Sequence, residues 1–323
     1  MTTLTRLKSR QYLPILATLA LLIGAYGFGA ARYDAFASGQ VVLNIFIDNA
    51  FLLVVAVGMT FVILTGGIDL SVGAVVALST VVSANLLQKH GWPAVVVIVL
   101  VLTMGALLGL GMGAVIHFFE IQPFIATLAG MFLARGLCYT ISTEAISVDN
   151  GAFTTIAQTQ IPLPGDLHVS ISVVIAIVVV IAAAYVLRFT RFGRTVYAVG
   201  GSEQSAMLMG LNVARTKIAV YTLSGFCSAL GGLLLVFYTL SGNPLNAIGM
   251  ELDAIAAVVI GGTILTGGSG YVLGTLLGVL VLGIIQTLIT FEGTLSSWWT
   301  KIVIGALLFV FIVLQRLIAR RAR

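Results

Sequence analysis

The sequence predicts an all-α polytopic membrane protein, and three observations carry the prediction. Of 323 residues, 59% are hydrophobic and 8% charged, where an ordinary soluble chain is about 25% charged. Mean hydropathy is +1.14. Apolar runs long enough to cross a hydrocarbon core, roughly 20 residues each, recur from one end of the chain to the other. One water-soluble core cannot hide that much apolar surface, whereas a bilayer does not require it to be hidden.

About ten spans are expected, at 12–31, 42–64, 71–88, 93–116, 122–141, 169–187, 217–240, 250–266, 271–290 and 299–315. The first, including Leu13–Ala31, is long enough to span and reads as a helix rather than a cleaved leader. The segment ISVVIAIVVVIAAAYVL, 171–187, has no charge at all. Borders near 64–71 and 266–271 are interrupted by glycines, where broken helices are expected. The chain reads as a single transmembrane domain, 1–323.

Charge sets the orientation. Arg6, Lys8 and Arg10, then Arg188, Arg191, Arg194, Arg215 and Lys217, then Arg316, Arg320, Arg321 and Arg323 make up 12 of the 16 basic residues. Segments rich in Lys and Arg resist translocation, so both termini and the 188–217 loop are expected on the cytoplasmic side. The 142–168 loop has no Lys or Arg but carries Glu144, Asp149 and Asp166, and is expected in the periplasm with room for a short surface helix. The net charge of +5 forms no nucleic-acid-binding face. Trp298 and Trp299 precede the last span as an interfacial belt.

One phrase occurs twice. Leu64-Thr65-Gly66-Gly67 matches Leu265-Thr266-Gly267-Gly268, and Gly73 matches Gly274 at the same offset. Two related halves around a path, with helices broken at paired glycines, would write such a repeat. Only the first copy is charged: Asp69 stands where the second has Gly270. A carboxylate at membrane depth must be wet, paired or capping. Asp69 with Ser71 fits a helix cap, a substrate contact or a gating charge. Asn49, Thr65, Gly66, Gly67, Asp69, Ser71, Phe124, Thr127, Glu251, Asp253 and Gln286 are the candidates for the path or its structural motif. Arg135, inside the fifth span, is expected to snorkel or to pair with a carboxylate. Phe124, Phe132, Phe237 and Tyr238 fit sugar stacking or plain packing.

On the basic loop, Ser202 suits an N-cap, Glu203 a first turn and Gly210 a helix stop, with Ala206, Met207, Leu208 and Met209 between. A short helix with apolar side chains and basic flanks rests on lipid or docks another protein. No GxxxxGK[ST] phosphate loop and no HExxH are present, and His90, His117 and His168 are scattered. No catalytic residue or metal site is expected, and ATP hydrolysis, if used, belongs to a partner. Cys138 and Cys227 read as structural thiols.

The chain resembles the sugar-type branch of the ABC importer permeases, which includes ribose and xylose permeases. Gly58 through Gly73, Pro123-Phe-Ile-Ala-Thr-Leu128, and Arg191-Phe-Gly-Arg194 through Gly200-Gly201 to Gly210 carry the likeness over nearly the whole length. Within that branch, Asn44–Gly73, Ile248–Ile255 and Phe291-Glu-Gly-Thr-Leu-Ser-Ser-Trp-Trp-Thr-Lys301 look like a permease subunit of a galactofuranose importer. The resemblance implies an inner-membrane machine. A periplasmic sugar-binding protein would deliver the substrate and a second, related permease would complete the path. An ABC ATPase, using ATP and Mg, would seat on Ser202–Gly210. Many relatives carry Asn where this chain has Ser202, and either residue caps a helix. Ribose, xylose, arabinose or another small solute is the alternative cargo, and a stand-alone carrier the alternative class.

Overall fold

The computed structural model describes residues 13–296 and 298–320. The basic positions Arg6, Lys8, Arg10, Arg321 and Arg323 lie outside the described residues.

The chain is helical almost throughout. Its elements are α1 (Leu13–Arg32), α2 (Gly39–Leu64), α3 (Val72–Ala84, extended by a π turn, Asn85–Lys89), α4 (Ala94–Phe118) and α5 (Pro123–Ile141). The 142–170 segment holds a two-residue strand β1 (Ile146–Ser147), a short helix α6 (Gly151–Gln158) and a hairpin of β2 (Gln160–Leu163) and β3 (Leu167–Ser170). Then come α7 (Ile171–Phe189), α8 (Arg191–Gly201), α9 (Glu203–Leu208), α10 (Val213–Thr239), β4 (Ser241–Gly242), α11 (Met250–Ile260), α12 (Val272–Glu292) and α13 (Trp298–Arg320). Among the described residues, eight helices are long and apolar enough to cross a membrane.

One helix is too short for the span expected of it. α11 has 11 residues, about 16 Å at 1.5 Å per residue and half a hydrocarbon core. It stops at Gly261 and not at 266, because Gly262 and Gly267, both at positive φ, turn the chain there. The helical part of α3 has 13 residues before its π turn. Its first residues lie level with the middle of the long helices: Ser224 of α10 bonds to Asp69 and also packs on Gly58 of α2.

The elements alternate between two faces. On the basic face, the end of α2 meets the turn after α11 and the end of α8: the Gly268 amide donates to the Leu64 carbonyl (2.9 Å), and Gly200 packs on both. On the opposite face, β1 pairs with β4, Gln40 bonds to His168, and the Asp149 amide donates to Gln88.

Topology reveals which segments are counterparts. α2 runs to the basic face and, after a break, the half-helix α3 returns toward the opposite face, where Gly242 packs on Thr80 and Ala84. α10 runs to that opposite face and, after a break, the half-helix α11 returns toward the basic one. α4 packs on α10 as α12 packs on α2, and α5 packs on α3 as α13 packs on α11. The long helices cross antiparallel, with Gly58 against Cys227 and Gly231 against Val55 and Phe51. The two halves are therefore α2–α5 and α10–α13, with inverted topology.

This corrects the pairing of the repeated phrase. The counterpart of 64–73 is 240–249, where Leu240, Ser241, Gly242 and Gly249 match Leu64, Thr65, Gly66 and Gly73 at one constant offset. The second LTGG copy lies one element later. It touches the first copy because α2 and α11 both end at the basic face, Gly66 lying against the Thr266 carbonyl.

Candidate functional site

The first break is built around Asp69, which is fully buried. One carboxylate oxygen accepts from the Ser71 amide (3.0 Å) and hydroxyl (2.6 Å), and the other accepts from the Ser224 hydroxyl (2.7 Å). The carboxylate thus takes an amide at the start of α3, where negative charge suits the helix dipole. Gly67 fits under the Tyr221 ring hydroxyl, and Thr65 and Gly66 close the end of α2, with Gly66 at φ 79. Thr127 is buried, its hydroxyl on the Pro123 carbonyl (2.8 Å), while Phe124 beside it is 53% exposed.

The second break is held differently. Leu240, Ala247 and Gly249 all have positive φ, and Gly249 at the N-cap of α11 supplies no side-chain cap. Arg135 donates to the carbonyls of Pro244 and Asn246 (2.9 Å for the latter). It bonds to backbone, where the sequence suggested snorkelling or a carboxylate partner, because the unwound stretch exposes carbonyls that need donors. Glu251 lies against Gly73, so the two half-helix starts meet. Asp253 pairs with Lys301 of α13 at 2.6 Å. Around this break Leu245, Ile248 and Leu252 remain wide open, with α5 packed on α3 to one side and α13 on α11 to the other.

Two further candidates sit apart from both breaks. Asn49 is buried, donating to the Ile45 carbonyl (2.9 Å) and packed on Gly283. Gln286 is exposed on α12. Tyr238 donates to Asp48 (3.1 Å) and Phe237 packs on Phe153. The sequence reading missed Ser224 and Tyr221; no local signal distinguishes them from other small or aromatic residues in apolar helices.

The basic face carries a rigid knob. The Ser202 hydroxyl caps α9 by accepting from the Ser205 amide (3.2 Å), and Gly210 ends it at φ 76. Glu203 pairs with Lys217 at the start of α10 (2.7 Å). Ala206 is fully buried with Val199 and Val213, which anchors the helix. Met207, Leu208 and Met209 are 58%, 85% and 67% exposed. The anchored corner thus holds out a contiguous apolar triplet. The knob connects directly to Gly200 and Gly201 and hence to the contact between Leu64 and Gly268. Tyr197 adds a second tie, its hydroxyl donating to the Gly270 carbonyl (2.8 Å). Burial pushes that phenol up to about 12, which keeps it a donor.

Half-helices meeting at mid-depth, inside a bundle whose basic-face helix presents apolar side chains, define a membrane permease. Residues 41–312 match the model of a family described as the permease component of the branched-chain amino acid transport system, and the chain belongs to that family. It is 46% identical to the inner membrane ABC transporter permease protein YjfF of Escherichia coli K12, over 95% of this chain and 93% of the relative. It is 44% identical to the fructose import permease protein FruG of Bifidobacterium longum, over 95% and 92%. It is 39% identical to the ribose import permease protein RbsC of Escherichia coli K12, over 84% of each. No solved structure matches the chain.

Proposed function

We propose that this chain is the transmembrane subunit of an ATP-driven sugar importer. The observation that carries the proposal is the continuous link from the exposed Met207-Leu208-Met209 knob, through Gly200, to the junction of Leu64 with Gly268. An ABC ATPase seated on the knob would move the end of α2 and the turn after α11 together, since the two are in backbone contact there. Rigid helices carry that displacement to the two breaks and open the opposite face. ATP and Mg act in the ATPase, and a periplasmic binding protein presents the sugar.

The path runs past the second break. Leu245, Ile248 and Leu252 are open in the single chain, so a second permease, related but not identical, closes over them. The cargo is galactofuranose, on the resemblance in Asn44–Gly73, Ile248–Ile255 and Phe291–Lys301. A neutral sugar suits a path where Asp69 is fully hydrogen-bonded and Asp253 is paired with Lys301. The basic 188–217 face and both termini lie in the cytoplasm, and the 142–168 face in the periplasm.

A second reading, fructose or ribose as the cargo, is favoured by the similarity to fructose and ribose import permeases over most of the chain. Vesicles holding both permeases, the ATPase and the binding protein separate the two. ATP-dependent uptake of labelled galactofuranose is expected. Uptake of fructose or ribose with galactofuranose ignored would select the second reading. Uptake without ATPase would reject both in favour of a stand-alone carrier.

A further inference from the structure

We propose that a cleft at the corner of α7, α8 and α12 binds the phosphate headgroup of an anionic phospholipid from the leaflet at the basic face. The cleft measures about 520 Å³ and is lined by Arg188, Arg194, Tyr197, Tyr271, Leu187 and Leu273, among others. Local structure brings the two arginines together. Thr190 caps α8, its hydroxyl accepting from the Gly193 amide (3.1 Å), and Gly193 packs on the carbonyls of Val186 and Leu187 where a side chain would collide. That tight corner folds α8 back on the end of α7 and turns both guanidinium groups to one cleft.

The arginines have no carboxylate partner: among the described residues, the two salt bridges are Lys217–Glu203 and Lys301–Asp253. Arg188 lies only over the Phe189 ring, at 5.6 Å. The far side of the cleft is the start of α12, a 21-residue helix. Two unneutralised guanidinium groups and the positive end of a long helix favour an anion, and guanidinium matches phosphate bidentately. The walls decide its source. Leu187 and Val272 are buried in its wall, and Leu273, 59% exposed, gives the cleft an apolar rim. A free phosphate has no use for that rim, whereas a phospholipid lays an acyl chain along it.

The position gives the lipid a consequence. Arg188 belongs to α7 and Arg194 to α8, and Tyr197 already ties α8 to Gly270 before α12. A headgroup held by both arginines clamps α8 to α7 and α12, and α8 leads through Gly200 and Gly201 to the docking knob. Bound lipid therefore stiffens the link between ATPase and bundle. This effect on turnover rests on the transport reading above, while the binding itself does not.

The test uses the full complex, purified in mild detergent with a mixture of phosphatidylglycerol and phosphatidylcholine and read by native mass spectrometry. The wild type is expected to retain phosphatidylglycerol, and the Arg188→Gln/Arg194→Gln double variant to retain it at least about tenfold less. Lysine at both positions is expected to restore part of the retention, which separates lost charge from lost folding. In nanodiscs, phosphatidylglycerol should raise ATP hydrolysis in the wild type and leave the glutamine variant unchanged, with equal rates for both proteins in phosphatidylcholine alone. Equal phosphatidylglycerol retention by wild type and glutamine variant would overturn the proposal. So would saturating inorganic phosphate reproducing the stimulation in phosphatidylcholine discs, which would make the site one for free phosphate. Retention at these arginines in a complex that takes up no sugar would support the lipid site and count against the transport reading alone.

Discussion

The break between α2 and α3 is capped by a buried carboxylate, whereas the break between α10 and α11 is held by a guanidinium. Each answers what its backbone lacks. The first presents amides at the start of α3, and Asp69 accepts one of them along with the Ser71 and Ser224 hydroxyls. The second presents carbonyls in an unwound stretch, and Arg135 donates to those of Pro244 and Asn246. They differ also in cover. Asp69 is fully buried, while Leu245, Ile248 and Leu252 around the second break are mostly exposed. In an inverted repeat, one half can thus serve as a fixed post and the other as the part that yields, because a sparsely covered stretch opens at lower cost. Amide exchange on the purified complex sharpens this contrast: 65–71 should be strongly protected and 243–249 should exchange first. Equal protection would remove the distinction between post and gate.

Substitution at the post should have the largest effect. Asp69→Leu strands two hydroxyls and an amide, at about 1–3 kcal/mol for each group left unpaired. It is expected to abolish stable insertion or lower the melting temperature of the purified complex steeply. Asp69→Asn keeps an acceptor and should recover much of the loss. A wild-type melting curve for Asp69→Leu would show that the carboxylate is no cap.

At the gate, Arg135→Gln removes a charged donor from two carbonyls, at about 1.5–3 kcal/mol. Its expected signature is faster exchange confined to 243–249, with uptake reduced and melting changed less than by Asp69→Leu. Gly249→Ala is milder still. No atom obstructs the new methyl, but φ 82 is left-handed, a conformation costing about 1–2 kcal/mol for a side-chain-bearing residue. The smallest effect belongs to Asp253→Asn. Its partner Lys301 is about half exposed, and such surface pairs contribute about 0.2–1 kcal/mol; melting should be nearly unchanged.

Much of this architecture was legible in the sequence. Apolar run lengths placed the helices, and Ser202, Glu203 and Gly210 bounded the short helix α9, because cap chemistry is local. Asp69 stood out because a lone carboxylate between glycines is rare in an apolar chain. The repeat was harder to read. The literal LTGG match drew attention to 265–268, but the topological counterpart of 64–73 is 240–249, which shares fewer letters. Symmetry of a fold constrains backbone direction and contact, and it leaves side chains free to diverge. The partners of Asp69 and Arg135 were illegible for a related reason. Ser224 lies 155 positions from Asp69 in the chain, and backbone carbonyls carry no letter at all.

The central claim is that movement of the docking knob reaches the bundle through Gly200. Two neighbouring glycines allow a matched test: a methyl on Gly200 would collide with the Leu64 carbonyl and the Gly268 amide, whereas one on Gly201 meets nothing within 4 Å. The measurement is ATP hydrolysed per sugar imported, in vesicles holding the complete importer with either Gly200→Ala or Gly201→Ala. Gly200→Ala should keep hydrolysing ATP while uptake collapses, and Gly201→Ala should match the wild type. Normal sugar uptake per ATP in Gly200→Ala would contradict the account.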